Sequence, residues 1–183
     1  MDAFYEKMPA LAAKEAALAE AIVQPQRLAI ALSGCVDSSL LLAVAAKYRK
    51  PGTTYAITCF SCFISEQELA EAKAVCERLG IAHPVLQTNP LAIEAVKYND
   101  PARCYACKKA LFEAMLQTTT AWGETVLAEA SHADDKGLYR PGLQALKELN
   151  IWQPLWECGF HKKEIRALAE KLGLPNAQKP AKP

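Results

Sequence analysis

The sequence of 183 residues carries almost no imbalance of charge: 21 Lys and Arg stand against 20 Asp and Glu, a formal net charge of +1. A global basic field of the kind that gathers nucleic acid is therefore excluded, although a local patch is compatible with these numbers. Long apolar runs are missing too. The segment Leu40-Leu41-Leu42-Ala43-Val44-Ala45-Ala46 is much too short to span a bilayer and reads as a buried helix face. The first residues, with Asp2, Glu6 and Lys7, do not make the apolar region of a secretory leader. A cytoplasmic location and no membrane contact are the expectation. Internal repeats and low-complexity runs are absent as well, and the length suits one globular domain.

Cysteine is what the chain does have. Seven occur, at positions 35, 59, 62, 76, 104, 107 and 158. In a reducing compartment such an odd set serves as core thiols, metal ligands or reactive groups rather than structural disulfides. Apolar residues make up 51% of the chain, enough for a sizeable core.

Strand-like and helix-like stretches alternate. Leu11, Leu18 and Ile22 recur at helical spacing together with Phe4 and Met8, interrupted by Glu15, and Pro25 ends that helix. Strands are predicted over 27–32, 54–60, 82–87, 125–130 and 151–155. The helix after the first strand stops before Pro51-Gly52. Ser65 with Glu68 three residues on forms a capping box, and Gly80 closes that helix. Asp100-Pro101 opens another, as Asp at the N-cap and Pro at the first position do. Pro141 begins a short one, and His161 with Glu164 caps the last. The expected fold is α/β: three layers, a mainly parallel five-stranded sheet, helices on both faces. Residues 1–175 form the single domain, with a helix within 1–24 packed on it, and 176–183 an extended, loosely held tail.

Ligands of such sheets sit beyond the carboxyl ends of the strands. Ser33–Ser39, Cys59–Ile64, Ser131–Arg140 and Cys158–His161 all fall there. Ser33-Gly34-Cys35-Val36-Asp37-Ser38-Ser39 is a small polar turn between a strand and a helix, which makes a phosphate cradle: unpaired amides and the helix dipole face the anion. Ser33, Ser38 and Ser39 add hydroxyl donors, Gly34 allows a close turn, and Asp37 suggests a metal ion held against phosphate. Arg103-Cys104-Tyr105-Ala106-Cys107-Lys108-Lys109 puts two thiols on one helix face with Lys108 a turn beyond Cys104. Cys59 and Cys62 have the same gap, but 41 residues separate the pairs, too many for a compact zinc ribbon. The favoured reading packs Cys104 and Cys107 against the sheet and turns Lys108 to phosphate. In Ser131-His132-Ala133-Asp134-Asp135, the paired carboxylates can hold Mg²⁺ beside a nucleotide, Asp135 alone being a solvated acidic residue, and Arg140 can fork onto phosphate or carboxylate. His83 and Cys76 read as structural, His161 as a cap or surface group, and Trp152 and Trp156 as core or interface.

The loop resembles the pyrophosphate loop of the ATP pyrophosphatase (PP-loop) superfamily, Ser-Gly-Gly-x-Asp-Ser, with Cys35 in place of the second glycine. With Arg103–Phe112, Ala133-Asp134-Asp135, Tyr139-Arg140-Pro141-Gly142 and Lys163–Pro175, the chain resembles the ATP-dependent sacrificial sulfur transferases, the LarE family. That resemblance implies ATP and Mg²⁺ as cofactors and adenylation of a carboxylate on a small nucleotide-like substrate, with pyrophosphate released. Sulfur then comes from a protein thiolate or, in some members, an iron–sulfur cluster. The sites implied are Asp37 and Arg140 for catalysis, Asp37 and Asp134 for metal, and Ala31, Ser33, Gly34, Cys35, Val36, Ser38, Ser39, Cys59, Phe60, Lys108 and Ser131 for the nucleotide. A homo-oligomer or a complementing chain is implied as partner. After Lys179-Pro180-Ala181 the sequence does not contain the family's C-terminal sulfur-donating cysteine. Two other functions compete: an ATP- or AMP-binding module without catalysis, and a tRNA-thiolating enzyme, against which the near-neutral charge counts.

Overall fold

A computed structural model of the chain describes residues 9–135 and 140–180. Phe4 and Met8, the stretch from Lys136 to Tyr139, and Ala181 to Pro183 lie outside the described residues.

The order is helix α1 (Pro9–Ile22), strand β1 (Leu28–Ala31), α2 (Val36–Tyr48), β2 (Thr54–Phe60), α3 (Glu66–Leu79), β3 (Val85–Gln87), α4 (Glu94–Lys97), α5 (Arg103–Thr120), β4 (Val126–Ala128), α6 (Pro141–Glu148), α7 (Pro154–Glu157) and α8 (Lys162–Lys171). The sheet runs β3-β2-β1-β4. Every pairing is parallel, with Leu28 opposite both Thr54 and Val126.

Alternation along β1 builds the three layers, since successive side chains point to opposite faces. Leu28, Ile30 and Leu32 join a core with Leu11, Leu18 and Ile22 of α1, Leu40 and Leu41 of α2, and Ile165 and Leu168 of α8. Ala29 belongs to a second, smaller core with Ile57, Leu127, Phe112 and Met115 of α5, and Leu146 of α6. Helix α2 is buried from Leu40 through Ala45 because it lies between the sheet and other helices. Each of its leucines contributes about 1.5–3 kcal/mol by leaving water. Glu15 interrupts the apolar pattern of α1 for a reason: it is buried and bonded to Lys47 (3.0 Å), Tyr48 (3.1 Å) and Lys171 (3.1 Å), which ties α1 to α2 and α8.

Four strands form where five were expected. The segment over 151–155 makes only a single bridge, Ala128 to Trp152, because Pro154 has no N–H to continue a ladder and begins α7 instead. Strand β3 is shortened likewise. Pro84 interrupts it, leaving Ala82 in an isolated bridge to Tyr55. A 3₁₀ turn at Pro90–Ala92 and α4 fill a stretch where no element was expected. The capping box at Ser65 forms in full, and Gly80 takes the left-handed conformation at φ +64°. The first residues of the tail expected over 176–183 are docked rather than loosely held. Leu174, Asn176 and Ala177 are buried, and Arg166 donates to the carbonyls of Ala177 (2.7 Å) and Lys179 (2.8 Å).

Candidate functional site

The chain leaves β1 for its neighbours β2 and β3, then returns to the other side of β1 as β4. The crevice beyond β1 and β4 is thus the place where strand order reverses, and ligands of open α/β sheets bind at that point. Both the Ser33–Ser39 loop and the Ser131–Asp135 loop open into it.

The loop is shaped by one glycine. Gly34 has φ +79°, a region side chains resist, and a Cβ there would lie 3.3 Å from the Glu68 carbonyl. Cys35 is the N-cap of α2 at φ −78°, ψ 160°, ordinary extended backbone. Cysteine therefore fits without strain where relatives of the loop have glycine. No side chain caps α2, so its leading amides stay open to an anion. Ser38 Oγ receives the Ser33 N–H (3.2 Å) and donates to the Cys35 carbonyl (3.2 Å), which stiffens the turn. From far along the chain, Asn176 Nδ2 donates to the Gly34 carbonyl (3.0 Å) and to Ser39 Oγ (2.8 Å).

Two hollows adjoin here. The more polar of the two, of about 730 Å³, is lined by Gly34, Cys35, Val36, Asp37, Ser131 and Asp134, with Arg140 and Lys162 also on its wall. A mainly apolar one of about 670 Å³ is lined by Ala31, Ser33, Ser38, Cys59, Phe63 and Leu111, with Cys104 and Cys107 among its other walls. Most of the residues expected at the nucleotide are thereby brought together. Phe60 and Ser39 are not on either wall. Phe60 ends β2 and accepts the Thr88 N–H (2.9 Å) through its carbonyl, and Ser39 is fully buried against Asn176.

The charged groups of the polar hollow are mutually paired. Lys162 Nζ reaches both carboxylate oxygens of Asp37 at 2.6 Å. Asp134 lies 2.5 Å from His161 Nδ1 and accepts the Lys162 N–H at 2.7 Å. The His161 contact, then that N–H, hold the Asp134 carboxyl below its usual range. His132 stands between the two carboxylates, 4.0 Å from Asp37 and 3.8 Å from Asp134, and its buried Nδ1 has no hydrogen bond among the described residues. Asp135 was expected to be solvated and is instead buried. It receives the His132 N–H at 3.1 Å and pairs with Arg140. Arg140 is thus engaged by a carboxylate of its own loop. Lys108, expected to face phosphate, sits at the seam of the two hollows and pairs with Glu129 at 2.9 Å.

Two carboxylates on one wall, Asp37 and Asp134, are oxygen donors of the kind that suit a Mg²⁺ ion. That ion commonly takes one or two carboxylates and completes its shell with water and substrate phosphates. Among the described residues no three His, Cys, Asp or Glu side chains form a metal cluster by themselves. Burial pushes the Cys59 thiol up to about 11, with Cys107 adding to it. Burial also raises Cys107, helped by Cys104 and Cys62. Cys76 is core, pushed up by burial to about 12. His83 is structural, 2.8 Å from Thr58 Oγ1.

Lys162, His132, Glu129 and Asn176 were not singled out from sequence. The nearest signal was the position of Cys158–His161 at a strand end, immediately before Lys162. Asn176 gave none.

A four-stranded parallel sheet covered on both faces, with the Ser33–Ser39 loop at its switch point, is the architecture of the PP-loop class of α/β proteins, to which the family model assigns the chain. The chain belongs to the asparagine synthase family, whose model matches residues 12–120. It is 39% identical over 158 residues to an uncharacterized protein of Synechocystis sp., covering 86% of this chain and 58% of that one. To the pyridinium-3,5-bisthiocarboxylic acid mononucleotide synthase of Lactiplantibacillus plantarum it is 31% identical over 174 residues, covering 95% of this chain and 63% of that one. The chain therefore spans about three fifths of the length of these relatives. Among solved structures, the glutamine-dependent NAD+ synthetase of Acinetobacter baumannii in complex with ADP superposes with a TM-score of 0.73 at 13% identity, over 94% of this chain and 36% of that one. That likeness speaks for the fold alone. No helix among the described residues is long and apolar enough to cross a membrane.

Proposed function

We propose that the chain uses ATP to adenylate the carboxylate of a small, nucleotide-like substrate, releasing pyrophosphate, as a step in sulfur transfer. The observation that carries this reading is the pair of adjoining hollows at the β1–β4 switch point. The apolar one suits an adenosine, and the polar one suits the phosphates and leaving pyrophosphate. The likeness to a mononucleotide synthase whose product bears thiocarboxylates supports the substrate class.

In this reading the open amides of α2 and the hydroxyls of Ser33 and Ser38 hold the β- and γ-phosphates, and Gly34 lets the backbone come close to them. Asp37 and Asp134 would hold Mg²⁺, which supplies charge neutralisation to the departing pyrophosphate. Lys162, paired to Asp37, is a cation within the same wall that can turn to pyrophosphate oxygens as negative charge gathers there. Arg140, held by Asp135 on the wall of the same hollow, can present a guanidinium edge to the substrate carboxylate. By analogy with the mononucleotide synthase it resembles, a homo-oligomer or a complementing chain is part of the proposal.

Exchange of labelled pyrophosphate into ATP, with Mg²⁺ and pyridinium mononucleotide carboxylates as acceptors, tests the reading. Acceptor-dependent exchange supports it. ATP binding without exchange for any acceptor turns it into a binding module, and exchange that requires transfer RNA replaces the small substrate by a nucleic acid.

A further inference from the structure

Resting on that reading, we infer that Lys179 binds the outermost phosphate of ATP, the one that leaves within pyrophosphate, and so lets the site tell a triphosphate from AMP. Among the described residues four lysines and arginines line the more polar hollow: Lys108, Arg140, Lys162 and Lys179. The first three are matched from within. Glu129, Asp135 and Asp37, which pair with Lys108, Arg140 and Lys162, line the same hollow, so these charges cancel inside the wall. Lys179 pairs instead with Glu71, which does not line it.

That difference decides which cation an entering phosphate can take. A phosphate that drew away Lys108 or Arg140 would leave Glu129 or Asp135, 16% and 6% exposed, as a second anion beside it. Stranding a charge in a partly buried site is costly. Glu71 is 39% exposed, so water can solvate it once Lys179 turns, and an exposed ion pair of this kind contributes little. Contact with Glu71 holds the Lys179 ammonium above the usual lysine range, and Glu68 and Cys35 lie close enough to add to this. The group is therefore charged at neutral pH. It stands near the N-cap of α2, Cys35, where the Ser33–Ser39 loop would hold the phosphate chain.

The backbone that carries Lys179 is fixed from two sides. Leu174 and Ala177 are buried in the larger core. Asn176 ties the segment to the Gly34 carbonyl (3.0 Å) and to Ser39 Oγ (2.8 Å). Arg166 of α8 donates to the Ala177 and Lys179 carbonyls at 2.7 and 2.8 Å, and the Lys179 N–H donates to the Asn176 carbonyl at 3.1 Å. Asn176 and Arg166 are thus positioning residues. The ammonium itself ends a flexible four-carbon stem and has three donors to offer. An anchored backbone with a swinging charge suits a group that follows the terminal phosphate as it departs.

Calorimetry with three ligands, each in the presence of Mg²⁺, tests the assignment: α,β-methylene-ATP, which cannot release pyrophosphate, then pyrophosphate, then AMP. Lys179→Met should weaken the first two by about 10- to 100-fold, as loss of a hydrogen bond to a charged group does, and leave AMP within about twofold. Lys179→Arg keeps the charge and should restore most of the loss. Glu71→Gln separates a phosphate ligand from a structural brace. Freeing a lysine that serves phosphate leaves the affinity for α,β-methylene-ATP equal to that of the unaltered chain or higher. Unchanged binding in Lys179→Met, a loss that extends equally to AMP, or the same loss in Glu71→Gln overturns the role of Lys179 and leaves the adenylation proposal standing. Failure of the unaltered chain to bind α,β-methylene-ATP overturns both.

Discussion

The two hollows at the strand ends differ in how their walls are made. The apolar one is walled by aliphatic and aromatic side chains from β1, β2 and α5, with Phe63 and Leu91 left exposed near its mouth. Nearly every polar group of the other is already bonded to a protein partner: Asp37 to Lys162, Asp134 to His161, and Asp135 to Arg140. A ligand entering the first gains by displacing water. A ligand entering the second must exchange partners, so its charge has to replace charge. The apolar wall tolerates change, because contact area is graded. The polar wall does not, because a charge stripped of its partner in a partly buried site is costly.

Asp37→Asn is the sharpest challenge to that contrast. Removing the charge leaves Lys162 without its partner and takes away a metal ligand, so pyrophosphate exchange should fall by about 100-fold or more, while adenosine still binds the apolar side in a calorimeter. The loop offers a second challenge. Gly34→Ala forces a side chain to φ +79° and should cost about 1–3 kcal/mol in denaturant melts, with ATP affinity falling in parallel. Cys35→Gly, one residue on, should change ATP affinity by less than about threefold, since Cys35 is already in relaxed extended backbone. A smaller loss is expected for Asn176→Ala, about 1–2 kcal/mol of stability, and it should weaken pyrophosphate binding and leave adenosine binding unaffected. On the apolar side, Phe63→Ala should weaken AMP by only a few-fold, about 0.5–1.5 kcal/mol for one aromatic contact, without altering pyrophosphate affinity. The smallest effect is a slow reaction. With its thiol pushed up to about 11, Cys59 is neutral at pH 8. Iodoacetamide should therefore leave it unmodified under conditions that label the exposed Cys104 and Cys62, its rate rising about tenfold per pH unit up to pH 11.

Much of the scaffold could be read from neighbours in sequence. The apolar strand, the glycine and the hydroxyls after it announce the phosphate loop, because a strand–turn–helix with open amides is a local arrangement. Ser65 with Glu68 announced a capping box that forms in full. The edges of the sheet were harder. The stretch 151–155 has the composition of a strand, yet Pro154 cuts it to one bridge, since whether an edge segment finds a ladder depends on the donors its neighbour offers. Asp135 illustrates the same limit for charge. An acidic residue beside another acidic residue reads as solvated, and only the packing of Arg140 and the His132 amide against it makes burial tolerable.

Read alone, then, the order of residues determined the strand–turn–helix at Ser33–Ser39, the alternation that sorts Leu28 and Ile30 from Ala29, and the capped helix at Ser65. These depend on backbone geometry within a few residues. The helix expected to open with Asp100 as N-cap begins instead at Arg103, with Ala102 as its N-cap. Tertiary structure alone decided that Lys162 would meet Asp37 across 125 positions, that Asn176 would reach Gly34 across 142, and that Cys104 would stand at the seam of two hollows. Such meetings depend on how the sheet closes and the helices pack, and no local preference encodes which distant side chain will fill a given space.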